Sequence, residues 1–210
     1  MSIPNHNLPF RPVRGGISVW NPEVDEPGTL GCLLTSDGTD RWILSCYHVF
    51  GRLNGAAFPN GEPIYQPSDN IAQIAQNSVL HSSWELDCSA AQLSPEISGM
   101  PEILGLFPLT GSEDPRLEMR VLKAGAETGI TEGIVTAIDG NTIEIGLLPQ
   151  IDLQYELSAP GDSGSVWVNR RTGKVVALHK GGASNGAHRA YATPIHSVLK
   201  FLNMEILIDA

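Results

Sequence analysis

The residue types and spacing best suited to chemistry lie in the segment Ser158-Ala-Pro-Gly-Asp-Ser-Gly-Ser-Val-Trp167. Ser163 is flanked there by Gly161-Asp162 and by Gly164, a pattern typical of a nucleophilic serine on a tight turn. Gly161 lets backbone amides converge on one point, and Gly164 lets a substrate carbonyl approach without meeting a side chain. The amides of Gly161 and Ser163 are predicted to form an oxyanion hole that stabilises a tetrahedral intermediate. Taken alone, the same residues also fit a turn between two strands.

A nucleophilic serine needs a general base, and the base needs a group that fixes its tautomer. His48 lies near the end of a mostly apolar run, residues 42–50, and is the predicted base. Asp87 directly precedes the small segment Cys88-Ser-Ala-Ala91 and is the preferred orienting acid. Glu85, two residues upstream, would share a strand face with Asp87, so strand geometry alone leaves both acids as candidates.

The chain order, His48 then Asp87 then Ser163, is that of chymotrypsin-like proteases and differs from that of subtilisin-like enzymes and α/β-hydrolases. The three segments resemble those of trypsin-like serine proteases. Four further segments resemble an intracellular bacterial and plant branch that includes the plant NARROW LEAF protein: Arg14-Gly-Gly-Ile17, Gly28-Thr-Leu-Gly-Cys32, the run from Lys123 to Gly133, and Leu178-His-Lys-Gly-Gly182. The resemblance covers about residues 14–202.

The resemblance implies an all-β fold of two six-stranded antiparallel Greek-key barrels, with a short C-terminal helix. The 22 glycines and 15 prolines agree with many short strands joined by turns. A single protease domain, residues 1–210, is predicted to contain an N-terminal barrel at 14–94, an interbarrel linker at 95–116 and a C-terminal barrel at 117–210. Three local predictions accompany it: a hairpin turn at Asp139-Gly-Asn141, a strand at 151–156, and a helix at 194–202.

The resemblance also implies a serine endopeptidase that needs no cofactor and acts on a polypeptide substrate. In zymogen-type relatives, the aspartate that matches Asp162 pairs with a freshly cut N-terminal amine. This chain lacks the usual Ile-Val-Gly-Gly start, so either the oxyanion hole is preformed or an activating or regulatory protein orders it. The competing hypothesis is a catalytically silent protease fold used as a binding module. No metal site is predicted, because no histidine pair has zinc-ligand spacing near a cysteine pair.

The residues that read the substrate are predicted to be Leu157, Ser158, His179, Gly181 and Gly182. Leu157 stands where trypsin has the aspartate that binds Lys or Arg, so trypsin-type specificity is not expected. His179 resembles the histidine that reads glutamate in staphylococcal-type glutamyl endopeptidases. Acidic recognition would weaken as pH rises through the histidine's pKa. Recognition of small or medium apolar residues is the open alternative.

Composition narrows the partners and the compartment. The formal charge of −10 argues against a nucleic-acid partner, because contacts with phosphates need clustered Lys and Arg. No apolar run approaches the roughly 20 residues that cross a bilayer, and no secretory pattern begins the chain, so no membrane partner is predicted. The three cysteines, Cys32, Cys46 and Cys88, contrast with disulfide-rich secreted relatives. Reduced thiols in the cytoplasm are predicted, with a Cys32–Cys46 pair as the alternative.

Overall fold

The structure, a computed structural model, describes residues 5–52, 57–67, 72–149, 156–183 and 188–209. Most of the secondary structure in these ranges is β-strand, which confirms the predicted all-β class. The elements follow in this order: β1 (Val13–Gly15), β2 (Ser18–Val19), β3 (Gly28–Thr29), β4 (Leu33–Thr35), β5 (Trp42–Ser45), α1 (Tyr47–Phe50), β6 (Pro63–Tyr65), β7 (Gln73–Ser83), β8 (Cys88–Leu93), β9 (Gly99–Ile103), β10 (Arg120–Gly125), β11 (Gly129–Asp139), β12 (Thr142–Gly146), β13 (Val166–Asn169), β14 (Val175–Gly182), β15 (Arg189–Pro194), α2 (Ile195–Leu202) and β16 (Glu205–Ile206).

The second half of the chain forms a closed barrel of six antiparallel strands in the order β10-β11-β12-β15-β14-β13. Side chains alternate between the two faces of a strand, so every second residue faces the barrel interior. Trp167, Ile143 and Ile145 are among the apolar side chains that fill it. The predicted hairpin turn joins β11 to β12, and Gly140 adopts φ +54°, in the left-handed region that favours glycine.

The first half of the chain forms a six-stranded sheet in the order β16-β4-β5-β8-β7-β6. Strand β16 comes from the C-terminal end of the chain and pairs with β4, so the last element belongs to the first half of the molecule. The helix predicted at 194–202 is present as α2, which confirms the closing helix. Its apolar face is buried through Ile195, Val198, Leu199 and Leu202.

A single strand predicted at 29–34 is divided in the structure. Strand β3 pairs with β2, whereas β4 pairs with β5. Gly31 lies between them, and a Cβ at this position would clash with the carbonyl oxygen of Gly164 and approach Val166 Cγ1 to 3.0 Å. The chain bends here because its backbone packs directly against the serine turn.

The predicted linker at 95–116 contains β9, which pairs in parallel with β1. The later part of this linker contacts the barrel, where the Thr110 amide donates to the Gly173 carbonyl at 3.2 Å. The strand predicted at 151–156 lies outside the described residues except for Glu156, which is not in a strand. Among the described residues, no helix is both long enough and apolar enough to span a bilayer.

Candidate active site

Two glycines shape the turn that carries Ser163. Gly161 adopts φ +101° and Gly164 adopts φ +93°, conformations that L-amino acids with a side chain rarely accept. A Cβ on Gly164 would also clash with Ser45 Oγ and the Thr29 carbonyl oxygen. The absence of a side chain at Gly164 therefore makes room for the neighbouring half of the molecule, whereas the sequence suggested room for a substrate.

Backbone contacts across the two halves hold the serine turn beside the predicted base. The amide of Thr29 donates to the Ser163 carbonyl at 2.8 Å, and its hydroxyl donates to the Gly161 carbonyl at 2.8 Å. A Cβ on Gly28 would lie 2.8 Å from the Ser163 carbonyl oxygen and 2.5 Å from Val49 Cγ2. Because Val49 directly follows His48, this close approach brings the helix of the base against the turn of the nucleophile.

His48 and Asp87 form a close pair. His48 lies in α1, and its Nδ1 is 2.8 Å from Oδ2 and 2.9 Å from Oδ1 of Asp87. The backbone amide of His48 also donates to Asp87 Oδ1 at 3.2 Å. Asp87 adopts φ +49° in the turn before β8, a left-handed conformation in which Asp is enriched. This geometry places a proton on Nδ1 and leaves Nε2 to accept one.

Glu85, the alternative acid, is exposed, and no hydrogen bond joins its side chain to His48. The chain turns between Trp84 and Asp87 instead of continuing as a strand, since the Asp87 amide donates to the Trp84 carbonyl at 3.1 Å. The shared strand face that kept both acids as candidates is therefore absent. The geometry favours Asp87 over Glu85 as the partner of His48.

The amides of Gly161 and Ser163 make no hydrogen bond within the part of the chain that the structure describes. Their neighbours do: the Asp162 amide donates to Ala159 and the Ser165 amide to Asp162, each at 3.1 Å. The two free amides are the donors that an oxyanion hole requires. The hydroxyl of Ser163 donates to the Lys180 carbonyl oxygen at 3.1 Å, so it has to rotate before it can donate to His48.

Asp162 has an internal cation as its partner. Lys123 Nζ lies 2.7 Å from Asp162 Oδ2, and both side chains are fully buried. Thr128 donates its hydroxyl to the same oxygen at 2.6 Å, and the amides of Glu127 and Thr128 donate to Oδ1 at 3.1 and 3.0 Å. Burial alone would raise the pKa of Asp162, but Lys123 and these hydrogen bonds outweigh it and hold the pKa below its ordinary value. Lys123 thus meets the carboxylate that zymogen-type relatives pair with an N-terminal amine.

Lys123 was outside the sequence-based prediction of the site, although the sequence holds a signal for it. Lys123 alternates in β10 with Val121 and Gly125, and all three are buried. A charged side chain at an inward position needs a charged partner, because burying an unpaired charge is very costly. The identity of that partner, 39 positions further along the chain, comes only from the structure.

We expect Lys123→Met to destabilise the protein and to lower its turnover together. Removing one partner of a buried ion pair costs about 3–5 kcal/mol, because the other charge stays buried without compensation. The Asp162 carboxylate would then rearrange and disturb the adjacent amides of Gly161 and Ser163. Chemical denaturation and peptide hydrolysis, measured on the same preparation, test this prediction.

Lys200→Met, on the exposed face of α2, is the matched control and should leave both quantities unchanged. The double variant Lys123→Met/Asp162→Asn should recover part of the lost stability, since no unpaired charge remains. A Lys123→Met protein with wild-type stability and turnover would show that the ion pair does not support the turn.

The predicted pocket residues lie in different surroundings. Ser158 Oγ lies 2.7 Å from His179 Nε2, and a Cβ on Gly182 would lie 3.5 Å from Ser158 Oγ. A Cβ on Gly181 would meet nothing within 4 Å, so this position borders open space. Leu157, by contrast, is fully buried among the apolar side chains of the barrel core. Ser158, His179 and Gly182 are therefore brought together, whereas Leu157 packs into the barrel.

His179 is fully buried and neutral at neutral pH. Burial, followed by the charge of Lys123, lowers the pKa of His179 to about 3. Trp167 Nε1 donates to His179 Nδ1 at 3.4 Å, so the ring proton lies on Nε2 and is donated to Ser158 Oγ. The hydroxyl proton of Ser158 then remains available for another acceptor.

Solved structures of bacterial serine proteases share this fold. Thermobifida fusca Protease A has a TM-score of 0.71 at 14% sequence identity, over 94% of this chain and 99% of that one. A Nocardiopsis protease has a TM-score of 0.69 at 14% identity, over 92% and 98%. A glutamic-acid-specific serine protease, described as using a histidine triad in substrate binding, has a TM-score of 0.72 at 15% identity, over 93% and 100%. Comparison with curated protein sequences gave no significant match.

The fold is that of the chymotrypsin-like serine proteases. The family described as trypsin-like peptidase domain matches residues 28–178, and the chain belongs to this family. The resemblance found in the sequence is confirmed at this level.

Proposed function

We propose that the protein is a serine endopeptidase that cleaves peptide bonds through Ser163, His48 and Asp87. The observation that carries the proposal is the pair of free amides, Gly161 and Ser163. Gly161 and Ser163 are only partly buried, so their amides are open to an incoming acceptor such as a substrate carbonyl oxygen. Here they belong to the turn that carries the Ser163 hydroxyl, and Gly28 packs both against this turn and against Val49, the residue after His48.

The reaction follows from these positions. Ser163 Oγ rotates from the Lys180 carbonyl to His48 Nε2, which takes the proton while the oxygen attacks the substrate carbonyl carbon. Asp87 holds the Nδ1 proton and stabilises the imidazolium that forms. The amides of Gly161 and Ser163 donate to the oxyanion. His48 then returns the proton to the leaving amine, and water hydrolyses the acyl-enzyme by the same steps.

The second candidate function is a catalytically silent binding module with the same fold. One observation favours it: the Ser163 hydroxyl is bonded to the Lys180 carbonyl at 3.1 Å and not to His48. Hydrogen bonds of catalytic groups are often long or misaligned before substrate binds, so we prefer the enzyme.

We propose that Ser158 reads the side chain before the scissile bond through its free hydroxyl proton. A carboxylate oxygen of Glu or a carboxamide oxygen of Gln can accept this proton. One of the solved structures with this fold is a glutamic-acid-specific serine protease, which agrees with this proposal. A substrate Arg or Lys side chain carries only hydrogen-bond donors and would face the Ser158 hydroxyl, which also donates. Its charge would be buried without a partner, which disfavours such substrates by several kcal/mol. Since the pKa of His179 is about 3, this recognition does not need a protonated imidazole, in contrast to the sequence-based expectation.

A digest of a peptide library, with new termini read by mass spectrometry, tests both the activity and its specificity. We expect cleavage after Glu and Gln to exceed cleavage after Arg or Lys by about a hundredfold, as loss of a partner for a buried charge implies. The preference for Glu should stay constant between about pH 6 and pH 8, and Ser158→Ala should reduce it.

Two outcomes of the digest would contradict the pocket. Cleavage mainly after Arg or Lys would do so, as would apolar specificity that is unchanged in Ser158→Ala and His179→Ala. A digest without new termini, relative to the Ser163→Ala protein, would contradict the endopeptidase itself.

We also propose that activity needs no N-terminal insertion, because Lys123 already neutralises Asp162. Narrow specificity then becomes the simpler means of control, with a regulatory protein as the alternative. The three cysteines are free thiols in the structure, which supports a reducing cytoplasm as the proposed location. Membership of the intracellular bacterial and plant branch rests on the sequence segments alone.

A further inference from the structure

Three potential metal ligands of different types lie close together at the candidate active site. Cys46 Sγ, a ring nitrogen of His48 and a carboxylate oxygen of Asp87 all lie within 4.8 Å of one another. The proposed catalysis uses His48 and Asp87 but gives no role to the thiol of Cys46. The sequence analysis paired His48 with Asp87 but gave Cys46 no role as a ligand, because the sequence does not show that its thiol lies beside them.

The donor set suits a borderline-soft divalent ion. Zn²⁺ binds thiolate, imidazole and carboxylate ligands, and sites with three protein ligands leave a fourth position for water. The ion can enter from the cleft, since the side chains of His48 and Asp87 are 26% and 16% exposed. The three ligand atoms lie within 4.8 Å of one another, and the side chains have to shift to place an ion between His48 and Asp87, which are now hydrogen-bonded at 2.8 Å.

We propose that Cys46, His48 and Asp87 form a site for a thiophilic divalent ion of the Zn²⁺ class, which reversibly inhibits the enzyme. The charges balance in this site: a thiolate, a carboxylate and a neutral imidazole bring a doubly charged cation to a net charge of zero. A neutral assembly is far less costly to bury than a charged one. One proton, that of the thiol, leaves to solvent.

The thiol is protonated before the ion binds. Burial, followed by the negative charge of Asp87, raises the pKa of Cys46 well above its ordinary value. Its Sγ donates to the His179 carbonyl oxygen at 3.1 Å. Metal binding therefore displaces the thiol proton, so the affinity rises as the pH rises.

Inhibition follows from the tautomer of His48. An ion on Nδ1 displaces the proton that Asp87 now holds, and a neutral ring then carries its proton on Nε2. A protonated Nε2 cannot accept the proton of Ser163, so general-base catalysis stops. This consequence rests on the proposed function, whereas binding of the ion does not.

Cys88 supplies the matched control. The β5–β8 register pairs Ser45 with Ser89, and its continuation places Cys46 opposite Cys88. Cys88 has the same burial and chemistry but does not belong to the group of mutually close ligand atoms. A non-thiol reductant kept in every sample excludes a Cys46–Cys88 disulfide as the cause of any effect.

Binding is measured with Cd²⁺ and Co²⁺ on the full-length Ser163→Ala protein, so that no catalytic activity is needed. We expect one ion per chain, with a thiolate-to-metal charge-transfer band. Cys46→Ala should abolish the band and weaken the affinity by at least about tenfold, since a ligand is lost. Cys88→Ala should retain both. Cys46→Ser serves as a second variant, and circular dichroism establishes that each variant is folded.

Inhibition is measured with buffered Zn²⁺ on the active protein, relative to the uninhibited rate of each variant. Wild type and Cys88→Ala should be inhibited alike, and Cys46→Ala should need at least about tenfold more Zn²⁺. A band that persists in both Cys46 variants, or no band in wild type, would overturn the site. Binding of the ion to an otherwise inactive protein would leave the site standing and contradict only the proposed function.

Discussion

Ser163→Ala is expected to lower turnover of a cleavable peptide by about a millionfold, as loss of the nucleophile does in serine proteases. The fold should remain intact, because among the described residues the hydroxyl makes a single hydrogen bond, to the Lys180 carbonyl at 3.1 Å. Steady-state hydrolysis of the peptide that the library digest selects, with a thermal melt of both proteins, measures the two effects.

Ser165→Ala is the matched control in the same turn. Its hydroxyl is buried and has no hydrogen-bond partner in the part of the chain that the structure describes, so its removal should cost little stability and little activity. Equal loss of turnover in the two variants would point to disruption of the turn. Wild-type turnover in Ser163→Ala would contradict the role of the serine.

Asp87→Asn is expected to lower turnover by about ten-thousandfold, through the wrong tautomer of the base. An amide nitrogen in place of Oδ2, 2.8 Å from His48 Nδ1, would donate a hydrogen bond to the ring and drive its proton to Nε2. The variant should still fold, because the amide has nearly the shape of the carboxylate. Single-turnover hydrolysis by wild type and variant measures the effect.

Glu85→Gln removes the neighbouring charge and is the control. Because Glu85 is exposed and its side chain makes no hydrogen bond to His48, the change should leave turnover within about twofold of wild type. The opposite result, loss in Glu85→Gln and normal rates in Asp87→Asn, would mean that the wrong acid has been assigned.

Local patterns in the sequence predicted much of the fold. The helical spacing of 194–202 and the turn at Gly140 each depend on a few neighbouring residues, and both are present in the structure. The strand predicted at 29–34 was wrong in detail, because Gly31 has no side chain and packs against the distant Gly164 carbonyl. Such a contact joins residues that no local pattern connects.

The candidate site likewise combines features that local sequence patterns predict with features that depend on contacts between distant residues. The glycines around Ser163 indicated a tight turn, and in the structure Gly161 and Gly164 adopt positive φ there. The pairing of Lys123 with Asp162 depends on tertiary packing, and so does the tautomer of His179, which Trp167 and Ser158 fix together. The pKa of His179 depends on its burial and on the groups around it. The sequence shows neither, so the lowered pKa could not be predicted from it.

The most direct test of the account is the reaction of the folded wild-type protein with a fluorophosphonate, followed by peptide mapping. A serine activated by His48 and aligned with two free amides should form one adduct, located on Ser163, and heat denaturation should abolish it. Failure of the folded protein to react, or an adduct on another residue, would contradict the account and favour the silent binding module.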